Sequence, residues 1–194
     1  MQTNLLSYSD ADKKRARVEL AKIRADIYDR AEYSARLCSG ITMLKDYADA
    51  DILLLYFPTR SEPDLTALAH LAWRDGKQAA FPISRTDSLT LDFRIVKSLD
   101  ELSAGAYGIR EPDESAPRAN VTERTLCILP ALAVDIDGYR LGYGKGYYDR
   151  FLLQNPHLKK IGLAYACQEV EAVPTEENDI PLDMVITENG VIRF

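Results

Sequence analysis

Eleven consecutive residues, Tyr139 to Asp149, hold three glycines, four tyrosines and the charged groups Arg140, Lys145 and Asp149. Alternating glycines let a backbone turn sharply and bring its N–H groups close to a ligand. Arg140 and Lys145 supply charge suited to phosphate oxygens. Asp149 supplies a hard anionic oxygen of the kind Mg2+ prefers. Together these groups suggest a site for a nucleotide with its metal. The segment is not a Walker A loop, because Tyr139 and Gly146 stand where that motif needs Gly and then Ser or Thr. Nor is it a Rossmann turn, since Tyr147 takes the place of the third small residue. The plain alternative is a glycine-rich turn whose charges are merely solvated.

Other candidates lie apart in the chain. Lys13 and Arg17 are four residues apart and share a helix face, bordering the apolar stripe. Such long side chains reach an anion over a core edge or simply remain solvated, and spacing alone favours solvation. Glu62, in Arg60-Ser61-Glu62-Pro63-Asp64, suits helix capping. Its functional alternative is to accept hydrogen bonds from the amino and ring N–H edge of a heterocycle. Asp149 and Asp179 read singly as a first-turn helix acid and a solvated loop charge. Near a triphosphate the two carboxylates would make part of a Mg2+ shell completed by water and phosphate. Tyr107, Tyr143, Tyr147 and Tyr148 offer rings that stack on flat ligands or pack at a rim. His70 and His157 have no partner spacing, and no Ser/His/Asp arrangement is visible. Catalysis by positioning and electrostatics fits this lack of nucleophiles.

These groups need elements to hold them. The first forty residues read as helix capped by Ser9 or Asp10, with a stripe of Ala16, Leu20, Ile23 and Ile27 and a possible break near Tyr28 to Arg30. The apolar run from Ile52 reads as a central strand ended by Pro58. Pro63 suits the first position of a helix that stops at Gly76, and Gln78 to Phe81 reads as a strand closed by Pro82. This strand–helix–strand order predicts parallel strands. Leu91 to Ile95 alternates like a half-exposed strand, and Gly105 to Pro117 reads as loop. Leu126 to Leu129, Lys160 to Ala164 and Met184 to Thr187 read as strands, and Tyr147 to Leu153 as helix. Val173 to Pro181 reads as an acidic loop, and Asn189-Gly190 suits a type I′ turn into Val191 to Phe194. The expected fold is α/β: a single-domain three-layer sandwich over residues 1–194, with a mostly parallel central sheet and helices on both faces. Ligands bind such sheets at the carboxyl ends of the strands.

Composition narrows the partners. The 194 residues carry a net charge of -6, against a general nucleic-acid binder. An anionic substrate then needs local cations to overcome the global field. Cys38, Cys127 and Cys167 lack metal-ligand spacing and read as free buried thiols. The first residues show no secretory signal and no apolar run is long enough to span a bilayer, so the expectation is a soluble cytoplasmic monomer.

Leu132 to Phe151, LAVDIDGYRLGYGKGYYDRF, resembles the signature of the 5-formyltetrahydrofolate cyclo-ligase (methenyltetrahydrofolate synthetase) family. The resemblance extends, in the family's order, to Lys13 to Leu20 (KKRARVEL), Tyr56 to Leu65 (YFPTRSEPDL), Gly76 to Pro82, Tyr107 to Pro112 (YGIREP) and Pro174 to Asp183. The RLGxGxGYYD segment is highly specific; the others are individually weak.

That resemblance implies an ATP-dependent ring closure of 5-formyltetrahydrofolate to 5,10-methenyltetrahydrofolate, with Mg2+ required and ADP and phosphate released. It implies that Lys13, Arg17, Arg140, Gly142, Tyr143, Gly144, Lys145, Gly146, Tyr147 and Tyr148 hold ATP. It places Phe57, Glu62, Tyr107 and Tyr147 on the folate side and Asp149 and Asp179 at Mg2+, and gives Lys145, Arg140 and Tyr148 catalytic roles. Tyr143 departs from the Arg frequent in relatives, and Pro63 from their Ile or Val. The competing readings are a nucleotide-sensing module without catalysis and a sugar-phosphate isomerase or CoA transferase on a related α/β fold.

Overall fold

The apolar run beginning at Ile52 lies at the centre of the sheet, as a buried strand with neighbours on both sides must. The computed structural model describes residues 6–9 and 12–194. The helices are α1 (Lys13–Ala25), α2 (Arg30–Thr42), α3 (Lys45–Asp49), α4 (Thr66–Arg74) and α5 (Tyr147–Gln154). The strands are β1 (Ile52–Leu54), β2 (Gln78–Arg85), β3 (Thr90–Val96), β4 (Leu102–Ala104), β5 (Arg110–Pro112), β6 (Thr125–Pro130), β7 (Ala133–Val134), β8 (Arg140–Leu141), β9 (Lys159–Leu163), β10 (Met184–Thr187) and β11 (Gly190–Arg193).

Seven strands form the main sheet in the order β11-β10-β9-β6-β1-β2-β3. The five inner strands are mutually parallel, and the outer β3 and β11 pair antiparallel. β1, α4 and β2 form the expected crossover, with Ile52 opposite Gln78. Leu37, Ile41, Leu68 and Ala72 from α2 and α4 pack on one face, with Leu53, Leu126 and Ile161. Phe151 and Leu152 of α5 pack on the other, with Leu54, Cys127 and Leu129. The three layers and helices on both faces are therefore present. α1 belongs to neither face: its Ala16 and Leu20 pack on Ala133, Leu141 and Val170 beside the small β7–β8 ladder.

Several local expectations need correcting. The first helix starts after Asp12, whose Oδ2 accepts from the Ser9 hydroxyl at 2.7 Å; Asp12, not Ser9, holds the cap position. Asp10 lies outside the described residues. The break near Tyr28 is real, but on α1 the fully buried partner of Ala16 and Leu20 is Arg24, while Ile23 and Ile27 are only partly buried. Pro63 is not the first residue of α4, which begins at Thr66 after Asp64 Oδ1 caps the Thr66 N–H at 2.8 Å. Pro82 does not close β2, which runs on to Arg85. β1 ends opposite Ala80, so beyond it β2 pairs with β3 alone, where a proline is tolerated. Residues 105–117 are not all loop: β5 lies among them and returns antiparallel on β4, which ends just before. The final hairpin turns through Glu188 and Asn189, with Thr187 opposite Gly190. Asn189 lacks the positive φ a type I′ turn requires there, so the turn falls one residue early and is not primed.

Cys38 and Cys127 are buried, but Cys167 is exposed, against expectation. Burial pushes the Cys38 thiol up to about 11 and the Cys127 thiol to about 12; it raises the Cys167 thiol too, but that side chain stays within reach of solvent. A thiol-specific disulfide reagent at neutral pH should therefore modify one of the three cysteines in the native protein and all three in denaturant. Rapid modification of two or more in the folded state would contradict this packing.

Candidate active site

The carboxyl ends of β1, β2 and β6 open into one cleft of about 730 Å³. Each candidate named from the sequence lines it: Lys13, Arg17, Phe57, Glu62, Tyr107, Arg140, the loop 142–148, Asp149 and Asp179. No two of the segments that carry them are neighbours in sequence, so the fold is what brings them together.

The glycine loop is built from a carboxylate upward. Asp135 is buried, and its Oδ1 accepts the N–H groups of Asp137 at 3.1 Å and Tyr139 at 2.9 Å, forming the turn between β7 and β8. β8 then launches the loop from Leu141. Arg17 of α1 donates from Nε to the Gly142 carbonyl at 2.9 Å. Gly144 has φ +91°, and a Cβ there would fall 2.8 Å from the Arg17 guanidinium. Gly146 has φ +66° and is the residue before α5. Arg150, one turn into α5, donates back to the Lys145 carbonyl and also to the Leu89 carbonyl at 2.9 Å.

Charge at this side is partly paired. Lys13 Nζ reaches Glu176 at 2.6 Å and Asp179 at 3.9 Å. Arg140 donates to the Ile180 carbonyl at 3.0 Å and to Asp149 Oδ1 at 2.9 Å. Among the described residues Lys145 meets no carboxylate; its Nζ sits 4.0 Å from the centre of the Tyr107 ring. Contact with Lys145 lowers the Tyr107 phenol below its ordinary range.

The opposite wall follows β1. Glu62 is 8% exposed, and its Oε2 accepts the Thr59 N–H at 2.9 Å. Burial raises its carboxyl above the usual carboxylate range, with the Thr59 N–H and the Arg24 charge opposing the rise. The Phe57 ring lies 5.2 Å from the Arg110 guanidinium. Tyr107 has φ +57°, and its hydroxyl meets that of Tyr147 at 2.9 Å, so the two walls touch across the cleft. Tyr148 lies between the walls, and burial drives its phenol well above the ordinary value.

Two positioning groups escaped sequence reasoning. Glu111 accepts from Ser84 N–H at 3.0 Å and Ala106 N–H at 3.3 Å, tying the Tyr107 turn to β2. Arg24, fully buried, donates to Ser61, Ala131 and Tyr143. Neither carries a motif of its own; Arg24 reads as one more cation of a basic helix.

A mostly parallel sheet with a polar cleft at its carboxyl edge, floored by a pinned glycine loop, defines an α/β ligand-binding enzyme class. The sequence model of the 5-formyltetrahydrofolate cyclo-ligase family matches residues 9–188. A 5-formyltetrahydrofolate cyclo-ligase of Haemophilus influenzae is 31% identical over 177 residues, covering 88% of this chain and 94% of the relative. That of Escherichia coli K12 is 34% identical over 146 residues, covering 73% and 80%. The solved structure of Aquifex aeolicus 5,10-methenyltetrahydrofolate synthetase superposes with a TM-score of 0.82 at 33% identity, covering 94% of this chain and 92% of that one. The chain belongs to the 5-formyltetrahydrofolate cyclo-ligase family.

Because Gly144 combines a positive φ with the Arg17 contact, Gly144→Ala should strain the loop and displace Arg17 together. The expected loss is about 1–3 kcal/mol of local stability, seen as a lower Tm and weaker nucleotide binding by titration calorimetry. Unchanged values for both would show that the loop is not held as described.

Proposed function

We propose that this chain closes 5-formyltetrahydrofolate to 5,10-methenyltetrahydrofolate with conversion of ATP to ADP and phosphate, inside this cleft. The observation that supports it best is the facing of a buried carboxylate, Glu62, and a glycine loop flanked by Arg17, Arg140 and Lys145 across one cavity. One wall suits a flat heterocycle with N–H donors, the other a chain of phosphates.

ATP lies along the glycine loop, with Lys13, Arg17, Arg140 and Lys145 toward its phosphates and the N–H groups of 142–148 beneath them. The reduced pteridine lies between Phe57 and Tyr107, its donor edge on Glu62. The formyl oxygen attacks the γ-phosphorus, and the bond to ADP breaks with its electron pair leaving on ADP. The resulting carbon is an iminium bearing phosphate. N10 attacks that carbon and gives up its proton to solvent. The carbon–oxygen bond then breaks, phosphate leaves with the pair, and the amidinium product remains. No protein nucleophile takes part. Lys145 holds the transferred group and offsets its charge, Arg140 steadies the loop and the phosphates, and Tyr148 lines the point where the two substrates meet.

Asp149 and Asp179 fit a Mg2+ ion held mainly by phosphate and water. One oxygen of Asp149 already accepts from Arg140, and one of Asp179 from the Glu176 N–H at 2.8 Å. The described residues contain no three-ligand acidic, His or Cys cluster, which suits Mg2+ better than an all-protein cage would. When bound, the ion would neutralise phosphate charge. The reading takes the chain as one domain, a cytoplasmic monomer acting on small molecules. The net charge of -6 supports small anionic ligands drawn by local cations over nucleic acid. No helix among the described residues is long and apolar enough to cross a membrane.

Purified protein mixed with 5-formyltetrahydrofolate and MgATP should generate the near-ultraviolet absorbance of the methenyl product, dependent on both substrates. ATP binding without that signal would instead mark a nucleotide-sensing module. Lys145→Ala should cut kcat by about 10²–10³ while the circular dichroism spectrum stays native. Full activity in that variant would remove Lys145 from phosphate handling.

A further inference from the structure

Arg24 is the largest side chain the fold buries completely, at 0% exposure. Its three acceptors are all neutral: Ser61 Oγ at 3.0 Å, the Ala131 carbonyl at 3.2 Å and the Tyr143 hydroxyl at 2.6 Å. Burying a guanidinium without countercharge is costly, and a fold that retains one gains something by it. Two of these partners have a common neighbour. Ser61 precedes Glu62 in the chain, and Tyr143 lies beside the Glu62 carboxylate. Tyr143 accepts from Arg24, which leaves its own proton for an acceptor on the far side.

We propose that Arg24 is a positioning residue for folate recognition: through Ser61 and Tyr143 it holds the Glu62 side chain in place, ready for the N–H edge of the pteridine. This rests on the function proposed above. It moves Tyr143 from the nucleotide loop's work to the substrate's. The groups around Glu62 come from four segments: Arg24 of α1, Tyr56 and Thr59 after β1, Tyr143 of the loop and Tyr148 of α5. Arg60 stands beyond, its guanidinium 5.5 Å from the Tyr143 ring. Tyr56 and Tyr148 are buried enough to keep their protons, so the charge acting on Glu62 at neutral pH is that of Arg24.

The sign follows directly. Burial raises the Glu62 carboxyl and the Arg24 charge lowers it. Without the guanidinium, Glu62 takes up its proton at higher pH and loses its hold on a donor edge sooner as pH falls. A strut that merely tied α1 to Ala131 would alter stability and leave this titration alone.

The test measures steady-state rates of the full chain and of Arg24→Gln, Arg24→Lys and Tyr143→Phe against pH, varying each substrate separately. Tyr143→Phe and Arg24→Gln should raise KM for 5-formyltetrahydrofolate about tenfold, with KM for ATP within about twofold. The acid limb of kcat/KM for the folate should move to higher pH in both, and Arg24→Lys should restore part of it. If Arg24→Gln does not fold, Tyr143→Phe decides alone. An unmoved acid limb, or a rise confined to KM for ATP, would overturn the assignment while leaving the function intact. Absence of methenyl product from the unmodified protein would instead sink the function reading itself.

Discussion

A hydrogen bond from α1, Arg17 Nε to the Gly142 carbonyl, anchors the part of the molecule on which the rest depends. Residues 142–146 belong to no helix or strand and include two glycines at positive φ. Left alone, such a segment would sample many shapes and bind phosphate poorly, since each fixed residue costs about 1–2 kcal/mol of entropy. Arg17 fixes one end through the Gly142 carbonyl, and Arg150 fixes the other through the Lys145 carbonyl. The same Arg150 reaches the Leu89 carbonyl in the β2–β3 turn. The loop is thus tied to α1, to α5 and to the edge of the main sheet, and its N–H groups are ordered before any ligand arrives. Preorganisation of this kind is what catalysis by positioning and electrostatics requires.

The two walls of the cleft solve opposite problems. The loop wall is exposed and cationic, as anion capture in a protein of net charge -6 requires. The β1 wall buries a carboxylate, where a hydrogen bond to a neutral donor gains strength from the low dielectric. The walls meet where Tyr147 touches Tyr107 and Lys145 rests on the Tyr107 ring. Under the proposed function, a folate and a triphosphate entering together displace these contacts, and the Tyr107 turn lies at the junction of both substrates. Glu111 anchors that turn to β2, so its geometry is set by the sheet and not by the ligand.

Much of this was readable in the sequence, for definite reasons. Buried parallel strands are short unbroken apolar runs, and Ile52 to Leu54 and Leu126 to Leu129 announce themselves so. The density of glycine and charge from Tyr139 to Asp149 marked the loop before any geometry. Other features depend on contacts between segments distant in sequence, which no local pattern encodes. Arg24 is buried because Ser61, Ala131 and Tyr143 close over it, and these lie 37, 107 and 119 positions away. Pro82 sits inside a strand because β1 happens to end beside it. Cys167 is exposed because its short turn after β9 stands at the surface, which its residue type does not reveal. Arg17 looked like a solvated cation by spacing alone; its bond to Gly142 spans 125 positions.

Under the proposed function, the pinned loop turns the γ-phosphate of ATP toward the formyl oxygen of the substrate. Following that oxygen tests it most directly. With 5-formyltetrahydrofolate carrying oxygen-18 in its formyl group, one turnover should deliver the heavy atom into the released inorganic phosphate. Phosphate free of label, with the heavy oxygen found in water, would contradict a direct attack and with it this account of the cleft.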